Sequence, residues 1–374
     1  MWRDVNRRIY KNERKCDRMM YPHERRADDA LAFMLKFENV AWYENGVVKI
    51  LDRRIYPIKT EYVVCKTYEE VAKAIKNMVT QSEGPYVAAA MGLVLAINEV
   101  KDQTKDVIIT QAKKAAYCLS HARPTTSQQM KGIVDEGVKK VTSAVDQGVA
   151  GNALVEIAME YAVGYISNNY KRYTVIGELM AEQIPDEGTI LTQCFPGTIV
   201  GTMLRACKEK NKHIKLICAE TRPYFQGSRL TASVACDMGF DVTVISDNMP
   251  AYTMKSKQVD LFMSASDVIT QDGHVINKVG TFQIALAAHY YGIPYYVTGT
   301  PDPMHQTIDT IVIEEREPEL VMEAMGQKIT MDGVKGYYPA FDVTPPEFVT
   351  GVVTDKGIFS PYELSRYFTQ TEQK

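Results

Sequence analysis

The stretch TILTQCFPGTIVGTMLRACKEKNKHIKLICA, Thr189–Ala219, decides the fold. It opens on a short apolar run, turns through Pro196 and Gly197, continues at helical spacing over 198–211, and returns to a second apolar run, IKLICAE at 214–220. The rhythm then repeats. DVTVIS (241–246), VDLFMSA (259–265) and PYYVTG (294–299) read as further strands, and 228–239 and 275–291 as helices between them. Short continuous apolar strands alternating with helices specify a parallel sheet covered on both faces. In such sheets ligands bind at the carboxyl ends of the strands, so the residues just after each strand are the ones to inspect.

Upstream, the pattern differs. YEEVAKAIKNMV (68–79), YVAAAMGLVLAINEV (86–100), a segment around 125–145 and LVEIAMEYAVGYI (154–166) carry apolar residues at helical spacing. Ahead of them VAWYENGVVKILD (40–52) reads as a hairpin turning at Asn45–Gly46. The expected architecture is α/β: a mainly helical N-terminal domain with a small β-hairpin or sheet over 1–170, then a Rossmann-like parallel-sheet domain over 171–374.

Composition narrows the classes. The 374 residues suit two domains, and 45% hydrophobic with 24% charged residues is ordinary for a globular chain. A formal net charge of −3 supplies no cationic excess for nucleic acid. The basic stretch MWRDVNRRIYKNERKCDR, continuing to HERR at His23–Arg26, reads as a solvated helical face, a lid or a subunit contact. No apolar run spans a bilayer and the N-terminus does not begin a signal peptide, so a cytoplasmic protein without membrane contacts is expected. Cysteines 16, 65, 118, 194, 207, 218 and 236 form no C-x-x-C pair, which argues for reduced thiols and against a structural zinc site.

Three strand ends carry chemistry. Cys194 follows the first strand beside a helix N-terminus, where the macrodipole favours thiolate; position alone leaves packing and catalysis equally open, whereas Cys207 and Cys218, inside a helix and a strand, read as packing. ETRPYFQGSRLTA (220–232) joins a carboxylate, two guanidiniums, an amide and a glycine in a loop that becomes a helix, suited to an anion or to a salt-bridged turn. SASDVITQDGHVINKVGT (264–281) places Asp267 directly after an apolar strand, where desolvation raises a carboxyl toward a general acid's range. Asn277 and Lys278 are expected to open a helix and bind an anion there. His274 and His289 receive no chemistry. Nucleotide-binding, zinc-hydrolase and serine-hydrolase motifs are missing, so no cofactor and no metal is expected and the set points to proton transfer on a small anion.

In combination these segments resemble the methylthioribose-1-phosphate isomerase family, related to ribose-1,5-bisphosphate isomerases and to regulatory subunits of the eukaryotic initiation nucleotide-exchange factor. The resemblance runs from VAWYENGVVKILDRRIYP (40–57) through ARPT (122–125), LTQC, ETRPYFQGSRLTA, ISDNM (245–249) and SASDVITQDGHVINKVGT to IVIEEREPE (311–319) and YPAFDVTPPEFVTGVVTDKG (338–357). It implies Cys194 and Asp267 as the catalytic pair, and Arg123, Gln226, Asn277 and Lys278 as holding the sugar phosphate. It also implies a homodimer, with the YPAFDVTPPEF segment against a neighbour. The regulatory subunits generally lack the Cys–Asp pair, so its presence favours an enzyme. Two departures stand out. Phe195 replaces the family's asparagine. The family's Arg-Gly-Ala-Pro loop reads TQSEGPYVAAAMG (80–92) here, with Gln81, Ser82 and the Gly84 backbone in place of the arginine. The implied reaction converts 5-methylthioribose 1-phosphate to its ribulose 1-phosphate; 5-deoxyribose 1-phosphate is the alternative substrate, and a sugar-phosphate- or nucleotide-binding regulatory subunit the non-enzymatic reading.

Overall fold

The computed structural model describes residues 26–123, 127–324 and 326–369. The basic stretch over 1–25 lies outside them. The chain opens with helix α1 (Phe37–Val40) and a three-stranded antiparallel sheet, β1 (Ala41–Glu44), β2 (Val47–Leu51) and β3 (Tyr62–Cys65). Asn45 and Gly46 both take positive φ, 51° and 79°, as the tight β1–β2 turn requires.

Helices α2 (Tyr68–Lys76), α3 (Gly84–Val100), α4 (Lys105–Ser120), α5 (Ser127–Asp146) and α6 (Asn152–Glu182) follow. Thr67 caps α2 by accepting the Glu70 N–H at 3.3 Å, and Glu70 reaches back to the Lys66 N–H at 2.6 Å, a reciprocal cap that satisfies two otherwise open donors. Helix α3 is apolar all round because it is the buried centre of the bundle. Helix α6, 31 residues long, runs through position 170 and carries the chain to the sheet. It lies against α7 (Thr198–Glu209) through Gly177, where an added Cβ would sit 2.6 Å from the Met203 amide nitrogen.

The main sheet contains β4 (Thr189–Thr192), β5 (Lys215–Ala219), β6 (Asp241–Ile245), β7 (Leu261–Ala265), β10 (Tyr295–Thr298), β14 (Gly351–Thr354) and β15 (Gly357–Phe359), in the order β15-β14-β10-β7-β4-β5-β6. All neighbours are parallel except the β14–β15 hairpin. Alternate residues feed two cores: Ile190, Leu216, Cys218 and Met263 pack toward the helical bundle, and Leu191, Ile217, Phe262 and Val297 toward the opposite face. Cys207 and Cys218 are buried packing residues. The chain goes outward from β4 to β5 and β6, then returns to β7 beside β4 and leaves the other way to β10. The crevice between β4 and β7 is therefore the topological switch point.

Two expectations fail locally. Residues 275–291 are not one helix. Val275–Lys278 forms β9, paired with β8 (Val268–Ile269) and with β13 (Phe341–Thr344), and the helix α10 spans only Thr281–Tyr290 after Gly280 at φ 104°. Asn277 and Lys278 therefore stand in a buried antiparallel ladder, not at a helix start; pairing with a distant segment overrides the local pattern. The 228–239 helix begins instead as a π turn over Gly227–Thr231 and becomes α-helical at α8 (Ala232–Asp237). Helix α9 (Pro250–Ser256) and the short hairpin β11 (Glu323–Ala324)–β12 (Gln327–Lys328) complete the outer layers.

Candidate active site

Cys194 at the end of β4 and Asp267 at the end of β7 stand on the two sides of the switch-point crevice. Cys194 has φ 64°, a left-handed conformation that a non-glycine residue holds only when its surroundings enforce it. They do. Its N–H donates to Thr221 Oγ1 at 2.9 Å and its carbonyl accepts from Thr231 Oγ1 at 2.5 Å. Thr221 is itself at φ 66°, with its N–H and that of Arg222 donating to the two carboxylate oxygens of Asp247 at 2.8 and 2.7 Å. Ser82 (φ 58°) and Phe225 (φ 55°) are strained in the same way. Strain of order 1–3 kcal/mol per residue concentrated around one thiol marks a functional site more strongly than the thiol's position does.

Electrostatics set the protonation states. Cys194 is half-buried and Asp267 is exposed at the crevice, each with protein packed around its remaining sides. Burial pushes the Cys194 thiol up to about 11, with the Lys278 ammonium opposing and the Asp267 charge adding to the rise. Burial thus works against the thiolate that the helix N-terminus favours. Asp267 is likewise raised by burial, against the pull of Lys278, Arg123 and Arg316. The Lys278 ammonium is buried, donates to the Ala340 carbonyl at 2.9 Å and lies 4.6 Å from the centre of the Phe341 ring. Burial brings it down to about 8, with Arg316 and Arg123 also lowering it and Cys194 and Asp267 raising it. Arg123, in the loop just beyond α4, is lowered by burial and by Arg316. The site thus gathers a neutral thiol, a carboxyl held toward its protonated form, and several cations.

The other expected residues lie on β9, in the loop after β5 and in the loop before α3. Asn277 Nδ2 donates to Thr281 Oγ1 at 3.0 Å, and Thr281 donates to Gln193 Oε1 at 2.6 Å, which ties β9 to the residue before Cys194. Gln226 is buried in the loop after β5 with its Oε1 unpaired. Gln81 is buried with both amide atoms unpaired, Ser82 is exposed, and the Gly84 N–H donates to the Gln81 carbonyl at 3.1 Å, so that backbone donor is already used. This loop is clamped to the start of α7, where Thr198 Oγ1 donates to the buried Glu83 at 2.7 Å, and a Cβ on Gly197 would meet Glu83 Oε2 at 2.0 Å.

Several residues escaped the sequence reading. The fully buried Arg53 donates to the Gln81 carbonyl at 2.7 Å and holds its guanidinium 5.3 Å from the Phe195 ring, so a cation does stand behind the 80–84 loop. Phe195 packs on that arginine. Thr221, Thr231, Gln193, Glu314, Arg316 and Tyr338 were also missed, since nothing local distinguishes them. A cavity of about 410 Å³ adjoins the site beyond Tyr338, lined by Arg222, Asp247, Gly280, Phe282 and Gln283; it does not contain Cys194 or Asp267. Among the described residues no cluster of three or more His, Cys, Asp or Glu side chains is arranged to hold a metal. No helix among them is long and apolar enough to cross a membrane.

Fold and site together define a two-part α/β protein whose Rossmann-like sheet brings a thiol and a carboxyl to the ends of adjacent strands at its switch point. Residues 79–361 match the Initiation factor 2 subunit family, and the chain belongs to that family. The methylthioribose-1-phosphate isomerase of Thermosipho africanus (strain TCF52B) is 36% identical over 343 residues, covering 88% of this chain and 97% of that protein. The crystal structure of 5-methylthioribose 1-phosphate isomerase from Pyrococcus horikoshii OT3 superposes with a TM-score of 0.77 at 30% identity, over 90% of this chain and 98% of that one. The translation initiation factor eIF-2B subunit delta from A. fulgidus superposes comparably, with a TM-score of 0.76 at 32% identity over 86% and 96%.

Proposed function

We propose that this protein is an aldose–ketose isomerase that converts a 5-substituted ribose 1-phosphate, 5-methylthioribose 1-phosphate or its 5-deoxy counterpart, to the ribulose 1-phosphate. The observation that carries this reading is that Cys194 and Asp267 follow the ends of the adjacent strands β4 and β7, close enough for the Asp267 charge to act on the thiol, with Lys278 and Arg123 as nearby cations. Protonated Asp267 gives its proton to the ring oxygen as the C1–O bond breaks. The hydrogen on C2 then moves to C1, and the C2 hydroxyl becomes a carbonyl by returning its proton to the Asp267 carboxylate. Atoms and electrons balance within the substrate and one carboxyl. A thiol at about 11 is a poor base at neutral pH, which favours transfer of that hydrogen as hydride, with Cys194 as a neutral donor that orients the C2 side.

The test uses substrate labelled with deuterium at C2. Turnover with full retention of deuterium at C1 of the ketose is the expected result. Loss of label to solvent would make the thiol a base that carries the hydrogen as a proton. Binding of both sugar phosphates without any ketose would make the chain a sensor, the reading that its likeness to the initiation-factor subunit favours.

The two domains are proposed as 1–170 and 171–374, joined by the continuous helix α6. We also propose a cytoplasmic homodimer. The exposed apolar side chains Val312 (93%), Met331 (82%) and Tyr337 (71%), in the segment between β10 and β13, support a second copy as their cover. Light scattering after size exclusion is expected to give twice the 42.1 kDa chain mass; a monomer at micromolar concentration overturns it.

A further inference from the structure

The segment IVIEEREPE contributes to the family resemblance but carries no assigned role. In the structure it runs beside the start of β13. The Ala340 N–H donates to the Glu314 carbonyl at 2.8 Å, Glu315 bridges Pro339, and the Arg316 N–H donates to the Tyr338 carbonyl at 3.0 Å. This pairing carries the Arg316 guanidinium to the site. It lies 5.5 Å from the centre of the Phe341 ring and 5.9 Å from that of Tyr224, and its side chain is only 8% exposed. Lys278 Nζ sits 4.6 Å from the same Phe341 ring, so one aromatic side chain carries two cations. Glu314 takes Arg316 Nε at 2.8 Å and Nη2 at 3.3 Å, which fixes the plane of the guanidinium.

Charge does not balance in this corner. Arg123, Lys278 and Arg316 stand against three carboxyl groups, Asp267, Glu314 and, beside Lys278, Asp342, and burial pushes Asp267 and Asp342 toward their neutral forms. Arg316 lowers the proton affinity of both Arg123 and Lys278, as like charges at close range must. A mostly buried cationic excess is costly until an anion joins it, and a doubly charged phosphate supplies the missing charge.

We propose that Arg316, oriented by Glu314, is a third phosphate-binding cation beside Arg123 and Lys278. It takes part of the phosphate's charge even though the 80–84 loop holds no arginine. The proposal rests on the reading of this crevice as a sugar-phosphate site. Arg316 is assigned to the anion because a guanidinium is the natural partner of a phosphate.

The experiment titrates the full chain with inorganic phosphate by calorimetry, and in parallel with the dephosphorylated sugar, 5-methylthioribose. Arg316→Gln is expected to weaken phosphate about 10–100-fold, the scale of a lost charged hydrogen bond in a buried site, and to leave the neutral sugar unchanged. Arg316→Lys, which keeps the charge, restores phosphate binding to within about tenfold of the unsubstituted protein. Glu314→Gln, which leaves the arginine in place but unoriented, falls between them. Equal weakening of phosphate and neutral sugar would mean a structural role and overturn the proposal, as would unchanged phosphate binding in Arg316→Gln. If no ribose 1-phosphate is isomerised but phosphate binding still depends on Arg316, the isomerase reading fails and the cradle stands.

Discussion

Replacing Asp267 by Asn is expected to lower kcat by about 10²–10⁴-fold, the contribution of a positioned general acid, with little change in substrate binding. Asparagine fills the same space but has no acidic proton for the ring oxygen. The substitution should not unfold the protein, and the sign can be worked out. Burial raises the Asp267 carboxyl above its unfolded value. Its contribution to stability is therefore fully present below the unfolded pKa and is lost as pH rises through the folded one. At neutral pH the neutral amide should leave Tm unchanged or higher, so lost turnover with an intact melt isolates the chemistry. The same reasoning predicts that kcat/KM of the unsubstituted protein falls as pH rises, as Asp267 ionises above the ordinary carboxylate range and as Lys278, at about 8, loses its charge. Lys278→Arg separates the two: the alkaline limb moves to higher pH if the lysine sets it and stays if the carboxyl does. Activity within a few-fold of wild type in Asp267→Asn would remove this residue from the mechanism.

What was legible in the sequence follows from what is local. The strands β4, β5, β6, β7 and β10 are short apolar runs that need no partner to be recognised, and their alternation with helices fixes the parallel sheet. Cys194 and Asp267 are found because strand ends in such a sheet are where ligands bind. The ladder holding Asn277 and Lys278 was not legible, since β9 is made by pairing with β13 across more than sixty residues of chain. Arg316 and Glu314 reach the site through a separate pairing with residues 338–340, so IVIEEREPE, though part of the resemblance, gave no sign of what these two side chains do. Protonation states were half legible. Cys194 does precede a helix, but only the three-dimensional packing shows that burial outweighs the helix dipole. Strain was invisible altogether: nothing in LTQC or ETRP indicates that Cys194 and Thr221 both take positive φ.

Removing the Cys194 thiol by substitution with Ala is expected to lower kcat by about 10²–10³-fold, the effect of deleting one donor at a reacting oxygen, whereas Cys194→Ser is expected to lose about tenfold or less. The contrast follows from a thiol pushed up to about 11. A neutral S–H orients and donates, and a serine hydroxyl can do the same. A thiolate base has no such replacement, because a hydroxyl in this environment does not ionise, and both variants would then be equally dead. Both fit sterically, since the left-handed backbone at position 194 is held by Thr221 and Thr231 through main-chain atoms that every residue possesses. Alkylation gives an independent reading of the same state. With iodoacetamide the rate at Cys194 should be slow at pH 7 and rise about tenfold per pH unit toward 11, since only thiolate reacts. A rate already at its plateau near pH 7 would mean that the thiol is ionised in the resting protein. The hydrogen would then move from C2 as a proton, and the buried ammonium of Lys278 would be the charge that holds the thiolate in place.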